Sequence, residues 1–309
     1  MHRSDRVRLA GACCAALLAI AALPAAAQDA SEPCDIDLRV DQTVQWRGPH
    51  GRGYEVLSDA PAFEPLRVSI LHRGSACRFY LTATPARSSD PVLVGPTNVL
   101  VYDLLTDPNG PSVLTPEYFG TTASQIHGEF TGEPIQELVF YVAIPSGQFV
   151  GQGVYRGQAA LRAFRVDPEG PVLLAEVPIP VQVAVASTLQ VRSDSFGPDR
   201  RSMAIDLGAL DREHLETMEF QVLTNAAVTM RLESVHGGML AHDAGAPGLP
   251  YEVSLAGERL RLQQPAMHRI TSVDSQHQSI PFQIIVTPPD GLLAAGSYRD
   301  LLTITFTTD

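Results

Sequence analysis

Imidazole is the side chain best suited to bind a transition metal or shuttle a proton near neutral pH. Eight histidines lie beyond residue 27: His50, His72, His127, His214, His236, His242, His268 and His277. None stands in a His-Glu-x-x-His or comparable ligand spacing. His236 and His242 flank the Gly237-Gly238 turn, a pattern that reads as a surface loop rather than a ligand pair. The chain has no Gly-x-Ser-x-Gly elbow to expose a nucleophilic serine and no glycine loop to cradle a phosphate. Carboxylate pairs occur throughout so acidic a chain, so they carry no glycosidase signal. The expectation is a protein that is not an enzyme, with no catalytic residues, no metal ligands and no cofactor.

Two absences narrow the chemistry further. The chain contains no lysine, which rules out a Lys–Asn isopeptide crosslink and a Schiff-base lysine. Of its four cysteines, Cys13 and Cys14 fall inside the amino-terminal apolar run, leaving Cys34 and Cys77. In an oxidising compartment such a pair reads as one disulfide, the alternative being two free buried thiols. Closing a loop of about 44 residues contributes roughly 4 kcal/mol in the chain-entropy model.

The oxidising compartment is itself read from the sequence. Arg3, Arg6 and Arg8 precede an uncharged apolar run from Leu9 to Leu23, followed by Pro24 and Ala25-Ala26-Ala27. This is the pattern of a secretory signal over residues 1–27, cleaved before Gln28. The run is about 15 residues, short of the roughly 20 that span a bilayer. No later segment is apolar enough to do so, and no transmembrane anchor is expected. The mature chain is therefore expected to be exported across the inner membrane and to be soluble or surface-attached. Of 22 basic and 34 acidic residues, the signal holds three arginines and Asp5, so the mature chain keeps 19 and 33, net −14. Like charge repels, which argues against nucleic acid and anionic membranes as partners.

The elements that position the remaining residues are read as strands. Leu66–Ile70, Arg78–Thr82, Met218–Val222 and Leu301–Phe306 alternate apolar and polar side chains between turn residues. The best helical stretch, Asp211–Thr217, is short and reads equally as a loop. An all-β pair of sandwiches follows. Residues 140–163 and 283–306 repeat one another at an offset of 143, which places Pro145 on Pro288, Gly153 on Gly296, Tyr155 on Tyr298 and Arg156 on Arg299. Val101–Leu104 matches Pro250–Val253 at 149, and Phe79 and Leu81 match Met230 and Leu232 at about 151. Slowly drifting offsets are what two copies of one fold with different loops produce. In each copy the glycine supplies a turn and the tyrosine anchors that corner, its hydroxyl bonded to backbone.

The ending Ala295-Gly296-Ser297-Tyr298-Arg299-Asp300 with Leu302-Thr303-Ile304-Thr305 resembles the carboxyl-terminal signature of the spore coat protein U domain family. Asp206–Leu210, Leu223-Thr224-Asn225, Ser234–Leu240 and Leu249-Pro250-Tyr251 are similar to it as well, so the likeness covers most of 187–309. The first copy, 34–165, keeps Gly153-Val154-Tyr155-Arg156 and the early cysteine but lacks the aspartate after the arginine. Motif residues taken from the likeness are Tyr251, Gly296, Tyr298, Arg299 and Asp300.

That likeness implies incomplete immunoglobulin-like sandwiches secreted by a periplasmic chaperone and an outer-membrane usher, building archaic, Csu-type pili or a coat. Two-domain members resemble the tip adhesin of such pili. The expected organisation is a signal peptide (1–27), an amino-terminal sandwich (28–170), a linker or closing strand (171–186) and a pilin-like sandwich (187–309) lacking its last strand. Behind Leu301–Phe306 only three residues remain, so Leu302, Ile304 and Phe306 should border a groove needing a donor strand from the chaperone or an adjacent pilin subunit. Gln28–Pro33 is polar and offers no donor arm, which places the subunit at a fibre tip. Exposed apolar loops at Pro91–Val94, Val113–Phe119 and Gln148–Gly151 would then contact an abiotic or host surface, with Val113, Leu114, Tyr118, Phe119, Phe149 and Val150 as candidates. Trp46 is expected in the core. The alternative is a non-polymerising secreted coat or carbohydrate-binding protein.

Overall fold

The computed structural model describes residues 33–40, 43–86, 90–196, 201–270 and 277–309. The signal expected over 1–27 and the stretch before Pro33 lie outside them. Among the described residues there is no helix, so none is long and apolar enough to cross a membrane. The stretch 211–217, weighed as a short helix, turns and then enters a strand at His214. The reason is the period: Met218, Phe220 and Val222 point inward while Glu219 and Gln221 point out, and only an extended chain buries every second residue.

Eleven strands build the first sandwich: β1 (Asp35–Val40), β2 (Val44–Trp46), β3 (Phe63–Arg73), β4 (Cys77–Pro85), β5 (Val92–Val94), β6 (Val99–Val101), β7 (Asp103–Leu105), β8 (Ile126–Phe130), β9 (Ile135–Ala143), β10 (Gly153–Asp167) and β11 (Gly170–Val185). One sheet runs β1-β3-β9-β7 and the other β2-β11-β10-β4-β8, with the β5–β6 hairpin added at β10. Ten strands follow: β12 (Leu189–Arg192), β13 (His214–Thr224), β14 (Val228–Ser234), β15 (Met239–His242), β16 (Leu249–Leu255), β17 (Glu258–Leu260), β18 (Ala266–Ile270), β19 (His277–Val286), β20 (Tyr298–Arg299) and β21 (Leu302–Thr308). Here one sheet contains β12-β13-β19-β16 and the facing one β18-β14-β21. Each sandwich has its own apolar core, one drawn from Cys34 to Val185 and the other centred on Met218 to Val286.

The two copies share a topology. β1-β3-β9-β7 corresponds to β12-β13-β19-β16, and β8-β4-β10 corresponds to β18-β14-β21. The difference lies beyond β10. There β11 pairs antiparallel along the whole strand, from Gly153↔Val185 to Asp167↔Gly170, and β2 pairs parallel with its far edge. Pro171–Ala186 thus supplies the closing strand of the first sandwich, its Ile179, Val181, Val183 and Val185 alternating into the core. Among the described residues β21 has no neighbour on that side. The described residues are all-β, two tandem immunoglobulin-like sandwiches, and among them the second has no counterpart of β11.

Cys34 and Cys77 form a disulfide that ties the entry of β1 to the start of β4, with Cα atoms 6.0 Å apart. Strand β4 is buried on both faces because the loop after β7 lies over its outer side. Thr115 N–H donates to Ala83 O at 3.0 Å and the Thr82 hydroxyl to Tyr118 O at 3.3 Å. Trp46 is in the core beside Tyr54.

Candidate strand-acceptor site

On β10, the inward-facing Tyr155, Leu161 and Ala163 are fully buried, since β11 covers the sandwich edge. On β21 the equivalent alternation gives Leu302, Ile304 and Phe306, which are only half-buried. Across from them stand Met218 and Phe220 of β13 and Phe282 and Ile284 of β19. The space between is a cleft of about 1050 Å³. Phe220 is its aromatic floor, edge-on to both Phe306 (5.4 Å) and Phe282 (5.9 Å). The irregular stretch 201–210 also lines it, packing Ile205, Leu207 and Leu210 against the second core.

The motif residues sit at one end of this cleft. The Asp300 side chain is buried and gathers four donors: Ser234 hydroxyl (2.5 Å), Tyr251 hydroxyl (2.6 Å), His236 N–H (3.1 Å) and His236 Nδ1 (2.9 Å). Burial pushes its carboxyl pKa up, but hydrogen bonds from Ser234, Tyr251, the Leu301 N–H and His236 together outweigh this and hold it below the ordinary value. Burial, followed by the neighbouring carboxylate, pushes the Tyr251 hydroxyl well above its ordinary value. The cluster thus pins the start of β21 to β14 and β16.

Gly296, at φ 153°, is required by close approach, since a Cβ there would run into the His242 ring. Tyr298 then folds back so that its hydroxyl donates to Ala294 O at 3.2 Å, and its ring meets His242 edge-on at 4.8 Å. In the first copy Gly153 abuts Pro96, and the Tyr155 hydroxyl donates to Gly151 O at 2.9 Å. Both hydroxyls thus reach the carbonyl four residues back, where the repeat predicted a bond to backbone without saying which group, and the Tyr155 hydroxyl also meets Asn98 Oδ1. Arg299 contributes backbone pairing to Ala241.

The remaining residues do not come together. Val113 and Val150 are core residues, and Leu114 and Phe149 pack against that core. This corrects their expected place in exposed loops: Val113 is pulled inward where its N–H bonds Leu104 O, and Val150 sits where Asn225 grips its carbonyl. Leu93 of β5 is buried as well, leaving Val94 outward. Of the six candidate side chains, Tyr118 and Phe119 are the exposed ones, at 44% and 50%. They cap the buried Phe164, with the Arg162 guanidinium 4.5 Å over the Tyr118 ring. Among the described residues one trio of potential metal ligands converges, Cys34, His72 and Cys77. Its two sulfurs are bonded to each other, while His72 Nε2 lies 2.9 Å from Ser75 O and its ring stacks on Phe130.

Sequence reasoning missed two features. The first is the role of 201–210, although Met203, Ile205 and Leu207 alternate visibly. The second is Asn225, buried between the sandwiches. Its Nδ2 donates to Val150 O (3.1 Å) and Ala186 O (2.9 Å), and its Oδ1 accepts from Thr188 N–H (2.7 Å).

No family model matches this chain, the expected spore coat protein U model included, and no curated protein sequence matches it. Solved structures similar to it include a tip adhesin, a tip subunit of chaperone–usher pili in complex with its chaperone, and a fimbrial adhesive subunit. The CupB6 tip adhesin from Pseudomonas aeruginosa is 11% identical, with a TM-score of 0.48 over 89% of this chain and 92% of that one. A chain of the CsuC–CsuE chaperone–tip adhesion subunit complex from Acinetobacter baumannii is 14% identical, with a TM-score of 0.40 over 87% and 99%. CfaE, the adhesive subunit of CFA/I fimbria of enterotoxigenic Escherichia coli, is 13% identical, with a TM-score of 0.37 over 89% and 81%.

Proposed function

We propose that this chain is an exported structural and adhesive subunit of a chaperone–usher surface fibre, standing at its tip. Its second sandwich is completed by a strand from a periplasmic chaperone and then from the adjacent pilin subunit, with passage through an outer-membrane usher. One observation carries the reading: β11 closes the first sandwich, whereas the corresponding edge along β21 borders a cleft lined by Met218, Phe220, Phe282 and Ile284. Unpaired N–H and C=O groups beside apolar side chains are the substrate of strand addition. A first sandwich whose β10 edge is closed by β11 supports the tip position, since that edge is not free to accept a strand. Its exposed Tyr118 and Phe119 are the side chains we assign to contact an abiotic or host surface. We take 28–186 as the adhesive unit and 187–309 as the acceptor unit.

The protein supplies its own probe. A synthetic peptide with the sequence of Glu176–Ala186 carries the alternation that closes the first copy. Added to the chain lacking residues 1–27, it should raise the melting temperature of the second sandwich by several degrees, because a ligand of the folded state stabilises by mass action. A stable monomer whose melting ignores a large excess of this peptide would overturn the fibre reading. It would favour a non-polymerising coat or carbohydrate-binding protein.

A further inference from the structure

In the first sandwich the segment after β1 forms β2, which lies outside the closing strand and pairs parallel with it, Val44↔Val181 to Trp46↔Val183. Tyr54 continues that contact, its N–H donating to Ala184 O at 2.8 Å and its carbonyl accepting from Ala186 N–H at 3.0 Å. The counterpart after β12 is the stretch holding residues 201–210. There it makes no backbone hydrogen bond to β21 among the described residues. Instead Ile205 and Leu207 pack on the second core and line the cleft that β21 borders. Two copies of one fold thus show one segment in two positions, outside a closing strand where there is one and against the groove where there is none.

Resting on the strand-acceptor reading, we infer that residues 201–210 are a displaceable strap, a placeholder for the missing strand. Without a donor, Ile205 and Leu207 cover apolar groove surface that would otherwise drive aggregation. When a strand enters beside β21, the strap shifts outward by about one strand spacing, ~4.8 Å. Its amides, which have no backbone partner among the described residues, then join the far edge of the incoming strand, as β2 joins β11. The strap thus slows capture of weak strands, and the pairing it makes afterwards secures the captured one.

The probe is again the Glu176–Ala186 peptide, now with two readouts on the chain lacking residues 1–27. Amides within 201–210 lack ladder partners among the described residues of the free protein, so their deuterium exchange should slow at least tenfold once the peptide is seated. Leu207→Ser, which loosens the strap, should capture the peptide severalfold faster than the unaltered chain. If that variant folds poorly, the exchange result on the unaltered chain decides alone. Peptide binding with unchanged exchange over 201–210, or with equal capture rates in a folded variant, overturns the strap and leaves the acceptor reading standing. Absence of binding to either form instead overturns the acceptor reading.

Discussion

Asp300 is a buried carboxylate whose oxygens accept from Ser234, Tyr251 and His236, so both its charge and its shape are used. Hydrogen bonds to a buried charge are each worth about 1.5–3 kcal/mol. Asp300→Asn should therefore destabilise the second sandwich by roughly 2–3 kcal/mol in chemical denaturation and leave the first transition in place. Acid dependence follows from the lowered pKa. Its stabilisation is fully present above the unfolded value of about 3.9 and is lost as pH falls through the lower folded value. The asparagine variant should lack that acid limb. Tyr251 has the opposite sign: its raised pKa gives stability that is present below about pH 10 and lost as pH rises further, which Tyr251→Phe should abolish. At this scale the Gly-x-Tyr corner was legible, because a tyrosine bonded four residues back is a local event seen twice. The burial of Val113 and Val150 was not, since it depends on which distant carbonyls and side chains meet those loops.

The strands were legible wherever one face is buried, because an alternation of period two admits no other regular structure. Pro171–Ala186 shows the limit: its alternation announced a strand, but only pairing with β10 decided which sandwich it closes. The Cys34–Cys77 link belongs to this scale too, holding β1 and β4 of opposite sheets together. Replacing both cysteines by serine should cost the first sandwich up to about 4 kcal/mol and spare the second, read as separation of two thermal transitions. A matching loss in both sandwiches would mean that they unfold as one unit.

Across the whole molecule, the joint between the sandwiches turns on Asn225. Besides its side-chain bonds, its carbonyl accepts from Gln152 N–H at 2.9 Å, and the Gln152 side chain reaches Asp309 O at 2.9 Å beyond the end of β21. Asn225→Ala leaves two carbonyls and one N–H unpaired, a loss of about 1–3 kcal/mol for each group that stays buried. Small-angle scattering should show a wider spread of interdomain arrangements in this variant. An unchanged profile would mean that the linker alone sets the arrangement.

By itself the sequence determined the β class, the duplication, the cysteine pair and the apolar character of β21, since each rests on local composition, period or self-similarity. The closure of one sandwich and the opening of the other were decided by tertiary structure. Both copies carry alternating apolar strands, and whether an edge is covered depends on which segment pairs beside it. The same holds for 201–210, whose alternation is plain in the sequence. Its position against the groove exists only because the place that β11 fills in the first copy has no strand beside β21.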